Sequence, residues 1–236
     1  MGRVQEEDIQ IVRPLQNGVI ADYEVTEFML RYFFNKVGGR VRFFRPTVMI
    51  SVPYGVTSVE KRAVHEAALA AGAREAHLVW EPLAAAIGAG LPVGTPAGDM
   101  IVNIGGGITE AAVVSMNNIV RAESGRVGGL RLDDGIIAYV RRKYNLVIGQ
   151  PTAEAVKIQI GAAVDQPEDM SMEIQGRDNV SGLPRTVTVT TGEVVEGLAE
   201  PLAAIATVVK SVLSNTPPEL ASDIIDRGIT LTGGCA

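Results

Sequence analysis

Between Tyr23 and Lys36 the apolar residues Val25, Phe28, Met29, Tyr32 and Phe33 recur three and four apart, the spacing that lines one face of a helix. Asp22 stands where it can cap that helix, and Gly38-Gly39 ends it. The period then changes. Thr47-Val48-Met49-Ile50-Ser51-Val52 is a short apolar run closed by Pro53, which predicts a buried strand. Thr57-Ser58-Val59-Glu60 is a capping box opening a helix that runs to Ala71, before Gly72. Residues 76–80 predict a second strand, and Glu81-Pro82 opens a helix to Gly88 with proline in a tolerated first-turn position. Helix, strand, helix, strand, helix is the order of an α/β layer.

Proline and glycine cluster in Gly94-Thr95-Pro96-Ala97-Gly98, a candidate domain boundary. Beyond it, apolar runs reach from Asp99 to Ser115 on either side of Gly105-Gly106-Gly107, and a further run covers 118–122, so three short antiparallel strands are expected. Helices are predicted at 132–144 and from Pro151-Thr152. Strands are predicted at 170–175 and 185–190, the second alternating as Thr186-Val187-Thr188-Val189-Thr190, around a polar loop at 176–184. A long helical stretch over 193–213 is expected to break or kink near Pro201. Pro217-Pro218 starts a short helix, and 227–234 reads as a strand running into a glycine turn.

At 236 residues the chain is long enough for one large or two small domains, and a 47% hydrophobic content excludes a disordered chain. A net charge of −6 argues against a general nucleic-acid binder, because no basic excess is available to displace phosphate counterions. The single cysteine, Cys235, excludes an internal disulfide or a cysteine-rich metal site, and His65 and His77 suggest no histidine site. No bound metal is assigned to any side chain. With no run of about 18 apolar residues and no apolar signal core at the N-terminus, a cytoplasmic location is expected.

Candidate chemistry begins at the triple glycine. Glycine takes positive φ without steric cost, which suits a tight hairpin turn. Bare backbone N–H groups can also close on an anion. From the loop alone, a plain hairpin and a phosphate cradle are equally supported. In Gly39-Arg40-Val41-Arg42-Phe43-Phe44-Arg45-Pro46, two adjacent rings sit among three arginines, a composition suited to a membrane interface. The alternative is that Phe44 packs under the next strand. Glu154 and Lys157, one helical turn apart, share a face, and a surface ion pair is the simpler reading of them.

Taken in order, several short matches carry a resemblance. They are Arg13-Pro14-Leu15 with Gly18-Val19-Ile20-Ala21-Asp22-Tyr23, Val52-Pro53 with Gly55-Val56-Thr57, and Glu81-Pro82 with Ala84-Ala85-Ala86-Ile87-Gly88. The glycine hairpin, Ala153-Glu154 with Val156-Lys157-Ile158, Thr216-Pro217-Pro218-Glu219-Leu220 and Leu231-Thr232-Gly233-Gly234 complete the set. In this order and spacing the chain resembles the bacterial actin family, filament proteins that determine rod shape. The resemblance implies an actin-like ATPase fold of the ribonuclease H-like α/β type, with two lobes around a nucleotide cleft. It places lobe I in 1–96 (subdomain IA with the remainder of IB), the core of lobe II in 97–133 and 206–236 (IIA), and the outer subdomain of lobe II in 134–205 (IIB). ATP and Mg²⁺ are the implied cofactors. Gly105, Gly106, Gly107 and Ile108 correspond to the second phosphate loop, Glu154 and Lys157 to the ribose and adenine side, and Gly233 and Gly234 to the adenosine loop. Glu81 corresponds to the acid that orients the attacking water, and Phe43 and Phe44 to a membrane-insertion loop. The implied partners are further copies in protofilaments, the inner membrane surface and the cell-wall elongation machinery, and no nucleic acid. Two rings per subunit bind a membrane modestly, so stable attachment calls for many copies.

The chain also departs from the family pattern. It lacks the first phosphate loop and most of the family fold beyond the adenosine loop, so a fragment is expected, with 47–52 left as an open strand edge. Asn103 stands where the family has an acid, and Ile108 where it has a threonine. Asn offers no charge to a hydrated Mg²⁺ and Ile no hydrogen bond to water. Leu130 replaces a further acid in Gly129-Leu130-Arg131-Leu132-Asp133. Slow hydrolysis is expected. A non-hydrolysing structural homologue is the first alternative. A sugar kinase is the second, and it would need a sugar-binding acid that the sequence does not identify.

Overall fold

The structure, a computed structural model, describes residues 12–38 and 45–236. Chain order begins β1 (Leu15–Gln16), β2 (Val19–Ile20), α1 (Tyr23–Gly38), β3 (Thr47–Val52), α2 (Ser58–Ala70), β4 (Glu75–Trp80) and α3 (Glu81–Gly88). It continues with β5 (Asp99–Ile104), β6 (Thr109–Ser115), β7 (Asn118–Gly125), α4 (Gly129–Tyr144), β8 (Leu146–Val147) and α5 (Gln150–Ile160). The last elements are β9 (Ser171–Asp178), β10 (Pro184–Thr190), α6 (Thr191–Ser214), α7 (Pro218–Arg227) and β11 (Ile229–Thr232). Two compact units result: Val127–Thr207 in one, and Val12–Arg126 with Val208–Ala236 in the other, so that α6 begins in the first and ends in the second.

In the unit holding Val12–Arg126, the main sheet has the order β11-β5-β6-β7. β11 runs parallel to β5, and the β5–β6 and β6–β7 pairs are antiparallel. β6 is buried at all seven positions. One sheet face, with Ile101, Ala112 and Val114, packs on Ala86 of α3. Strand alternation puts Asn103 and Glu110 on that same face. β3 and β4 form a separate parallel pair. The expected burial of β3 is corrected: its exposure alternates, and Met49 is 73% exposed, because β4 is its only strand partner among the described residues. In α1, Asp22 caps as expected, its Oδ1 accepting from Val25 N at 3.0 Å. The expected apolar face is not buried. Phe28, Tyr32 and Phe33 are exposed, and the buried residue is Thr26, whose hydroxyl donates to Asp22 O at 2.6 Å.

The capping box of α2 is present in both directions: Thr57 Oγ1 accepts from Glu60 N at 3.2 Å, and Glu60 Oε2 accepts from Thr57 N at 2.7 Å. Such a cap stabilises a helix by about 1 kcal/mol. The Gly94–Gly98 segment lies inside this unit. Gly98 N donates to Asp223 Oδ2 at 2.8 Å, and buried Asp99 pairs with Arg227 at 2.8 Å, so the middle and the C-terminal end of α7 hold the entry to β5.

The unit holding Val127–Thr207 builds a three-stranded antiparallel sheet, β10-β9-β8, against α4, α5 and α6. Leu132, Ile136, Val140, Val156, Ile174, Val189, Val194 and Leu198 form its core. β9 runs on to Asp178, so the expected loop from 176 shrinks to a tip at 179–183. Asp178 Oδ1 closes that tip by accepting from Val180 N and Ser181 N, and Gly182 has φ +71°. The expected break near Pro201 does not occur, and α6 is continuous. Pro201 removes the N–H that would bond Gly197 O. That carbonyl lies 2.6 Å from where a Cβ on Gly135 would sit, so two glycines bring α4 and α6 together there. The expectation that no run of about 18 apolar residues occurs stands, because Glu200 and Lys210 interrupt α6. α6 has a mean hydropathy of 1.3 over its most apolar stretch and is long enough to cross a membrane. Its buried residues Val194, Leu198, Ile205, Val208 and Val212 nevertheless follow helical spacing, the mark of a helix with one face in a core.

Candidate functional site

The four-residue loop 105–108 joins β5 to β6 and opens on a cleft of about 460 Å³. Gly18, Ser51, Glu81, Ala84, Ala85, Asn103, Gly105, Gly106, Gly107, Ile108, Gly233 and Gly234 line it, all within one compact unit. Gly105 N donates to Ile108 O at 2.9 Å and closes the turn. The expected reason for the glycines is corrected here, since none of the three has positive φ. Their use is spatial. A Cβ on Gly106 would meet nothing within 4 Å, whereas one on Gly105 would stand 3.3 Å from Ile108 O and one on Gly107 3.3 Å from Asn17 N.

Two other glycines are obligatory. Gly233 has φ +105°, and a Cβ there would fall 2.2 Å from Ile104 O, so the turn after β11 lies directly on the end of β5. Gly18, in the β1–β2 turn with φ +76°, leaves room for Pro53 and for the Ile108 side chain, whose Cδ1 would lie 2.9 Å from an added Cβ. Ile108 is accordingly buried at 6% exposure and contributes to packing.

Glu81 begins α3, where the positive end of the helix dipole favours a carboxylate. The preceding Trp80 is held by Tyr54 at a ring-centroid distance of 5.3 Å and by Lys61 at 3.9 Å. Behind Glu81 lies Glu110, fully buried, accepting from Tyr54 N through Oε1 at 2.6 Å. Burial, followed by the hydrogen bond with Glu81, pushes the Glu110 carboxyl up to about 8. Asn103 Oδ1 lies 3.5 Å from Thr232 Oγ1 on the neighbouring strand.

Glu154 and Lys157 belong to the other unit. Lys157 does not form the expected surface pair with Glu154. Its ammonium donates to Asp133 Oδ1 at 2.7 Å and to Gly129 O at 3.2 Å, while Glu154 is exposed. The pair is mostly buried, and burial outweighs the attraction of Lys157, leaving the Asp133 carboxyl above its ordinary range. Phe43 and Phe44 lie outside the described residues.

A family model described as MreB/Mbl protein matches residues 1–236. The chain belongs to the MreB/Mbl family. Cell shape-determining protein MreB of Escherichia coli K12 is 50% identical over 231 residues, covering 97% of this chain and 66% of that protein. Cell shape-determining protein Mbl of Bacillus cereus is 47% identical over 229 residues, covering 97% of this chain and 69% of that protein. The crystal structure of MreB5 of Spiroplasma citri bound to AMPPNP matches with a TM-score of 0.92 at 40% identity, over 99% of this chain and 70% of that one. Its ADP-bound form matches at 0.91. The chain thus spans about two thirds of the length of these MreB and Mbl relatives. The actin-like fold expected from the motifs is the fold of this MreB/Mbl chain, and membership sets aside the sugar-kinase alternative.

The residues fit a nucleotide. A glycine loop without side chains, a glycine turn and a carboxylate line one cleft, a set of groups that leaves backbone open to an anion and an acceptor open to water. For Mg²⁺ the described residues contain no cluster of three acidic, histidine or cysteine side chains. The ion would come held by the nucleotide's phosphates and water. Sequence reasoning found Glu81 and the loop, and it missed any role for Glu110 and the Asp133–Lys157 pair. The available signal for Glu110 was a lone charge in the apolar run 109–115.

Proposed function

We propose that this MreB/Mbl-family chain is part of an actin-like cytoskeletal ATPase that binds ATP with Mg²⁺ and assembles into filaments on the inner face of the bacterial membrane, where it guides cell-wall synthesis. The observation that carries this reading is the convergence of the bare 105–108 loop, the Gly233 turn and Glu81 on one cleft. The AMPPNP- and ADP-bound relatives support the nucleotide. The name borne by the MreB and Mbl relatives supports the cellular role. Assembly is a matter of scale, because one chain a few nanometres across acts on a cell only when many copies join.

In this reading Gly105, Gly106 and Gly107 form the phosphate loop, with the Gly105 amide closing the turn on Ile108 O and the amides of Gly106 and Gly107 turned to the phosphates, Gly233 and Gly234 leave the base room against backbone, and Glu154 and Lys157 hold the ribose and adenine. Asp133 fixes the Lys157 ammonium so that little side-chain entropy remains to be lost on binding. Glu81 accepts a hydrogen bond from the attacking water. Phe43 and Phe44 enter the lipid headgroup boundary. Lobe I is 1–96, and lobe II has its core in 97–133 with 206–236 and its outer subdomain in 134–205.

Hydrolysis is slow, since Asn103 supplies no charge and Ile108 no hydrogen bond to water. The second reading, a filament that binds nucleotide without turning it over, rests on the same two residues. Phosphate release by the full-length protein decides between them. Glu81→Gln is expected to abolish a measurable rate while leaving nucleotide affinity within about threefold. Parental turnover in that variant would remove Glu81 from the mechanism.

A further inference from the structure

Glu110 occupies the middle of a buried sheet. Its register partners, Asn103 on β5 and Ser124 on β7, are uncharged. On the same sheet face Ala112 and Val114 pack on α3. Oε1 receives the amide of Tyr54 from the segment between β3 and α2. Oε2 is buried and has no donor among the described residues. The charged group set against Glu110 is the Glu81 carboxyl, from the first turn of α3.

Two carboxylates each offer only acceptors, so they bond one another only through a proton. Without that proton, fully buried Glu110 would carry a desolvation cost and repel the half-buried Glu81. A proton on Glu110, the more buried of the two, relieves both costs. The Tyr54 amide already fixes one oxygen of Glu110, which leaves Oε2 as the position from which a proton reaches Glu81.

We propose that Glu110 is a positioning residue that stays neutral, shares its proton with Glu81, and through that bond holds the Glu81 carboxylate at the edge of the glycine loop. The catalytic part of this inference rests on the reading of Glu81 as the water-orienting acid; the shared proton does not.

The folded-state value of the Glu110 carboxyl, about 8, lies above the ordinary 4.5, so the native chain keeps a proton that the unfolded chain releases. The stabilisation is complete below the ordinary value and is lost as pH rises through the folded one. Glu110→Gln puts an N–H where the proton was, at every pH, and can still accept from Tyr54 N. Glu110→Met fills the space with neither.

Infrared titration of the full-length protein from about pH 6 to about pH 9, with equilibrium unfolding over the same range, tests the shared proton. The parent should show a protonated-carboxyl band that fades at the alkaline end, is absent in Glu110→Gln and moves in Glu81→Gln. The parent should also lose stability relative to Glu110→Gln as pH rises. In turnover, Glu110→Gln should stay within about twofold of the parent without an alkaline decline, and Glu110→Met should lower kcat about tenfold or more with KM for ATP nearly unchanged. Absence of a Glu110 band at neutral pH overturns the proposal, as does equal turnover in the Gln and Met variants. A parent without turnover, or Glu81→Gln at the parental rate, instead overturns the catalytic reading of Glu81, and the band and the stability slope still decide the shared proton.

Discussion

Ile108 and Asn103 face the same cleft and are held in different ways. Ile108 is packed between the β1–β2 turn and the loop it closes, so its side chain contributes to the fold. Asn103 is half-buried, with its Oδ1 at 3.5 Å from the Thr232 hydroxyl. Asn103→Asp is expected to raise phosphate release about fivefold or more at saturating Mg-ATP, because a carboxylate at the cleft would attract a hydrated Mg²⁺ that the neutral amide does not. Ile108→Thr replaces buried methyl groups by a hydroxyl and is expected to cost about 1–2 kcal/mol in denaturant unfolding, whatever it does to the rate. Both residues were legible in the sequence because the glycines marked their positions. Glu110 was not, because a motif letter says nothing of burial, and only strand register shows that it shares a face with Ala112 and Val114.

The glycine turns separate two kinds of requirement at the level of elements. Gly233 is needed by the fold, because β11 must end against Ile104 O with a left-handed backbone. Gly233→Ala should lower stability by about 2–4 kcal/mol in urea unfolding. Gly106 meets nothing within 4 Å and has no positive φ, so Gly106→Ala should leave stability within about 0.5 kcal/mol. If the loop is a phosphate cradle, the same change should weaken ATP binding about tenfold or more, measured with a fluorescent nucleotide. Unchanged affinity would return the loop to a plain hairpin. Element types were readable from periodicity and caps, as at Thr57-Ser58-Val59-Glu60. Element lengths were less so. β9 gained residues through pairing with β10, and α6 passes Pro201 because Gly135 lets the freed carbonyl of Gly197 approach closely, a tertiary compensation that proline statistics do not contain.

For the whole molecule, the membrane reading depends on Phe43 and Phe44 acting together in many copies. Liposome co-sedimentation of the full-length protein with ATP is expected to lose most bound protein in Phe43→Ala/Phe44→Ala, with filaments still visible by electron microscopy. Undiminished lipid binding would move the attachment elsewhere. α6 is apolar enough by composition to span a bilayer, and its buried residues Val194, Leu198, Ile205, Val208 and Val212 lie at the spacing of a stripe that faces a core.

The amino-acid order by itself determined the α/β class, nearly every element and the family, and it pointed to Glu81, Gly105, Gly106, Gly107, Gly233 and Gly234 as candidates. Those rest on local periodicity, capping and short motifs, which act over a few residues. The tertiary structure decided why the loop glycines are glycines, which partner Lys157 takes, and that a carboxyl sits behind Glu81. Each of these depends on groups far apart in the chain, and burial and pairing act through space. At Val102-Asn103-Ile104-Gly105-Gly106-Gly107-Ile108-Thr109-Glu110, the sequence names every residue of the loop, and only the fold turns the last of them back toward α3.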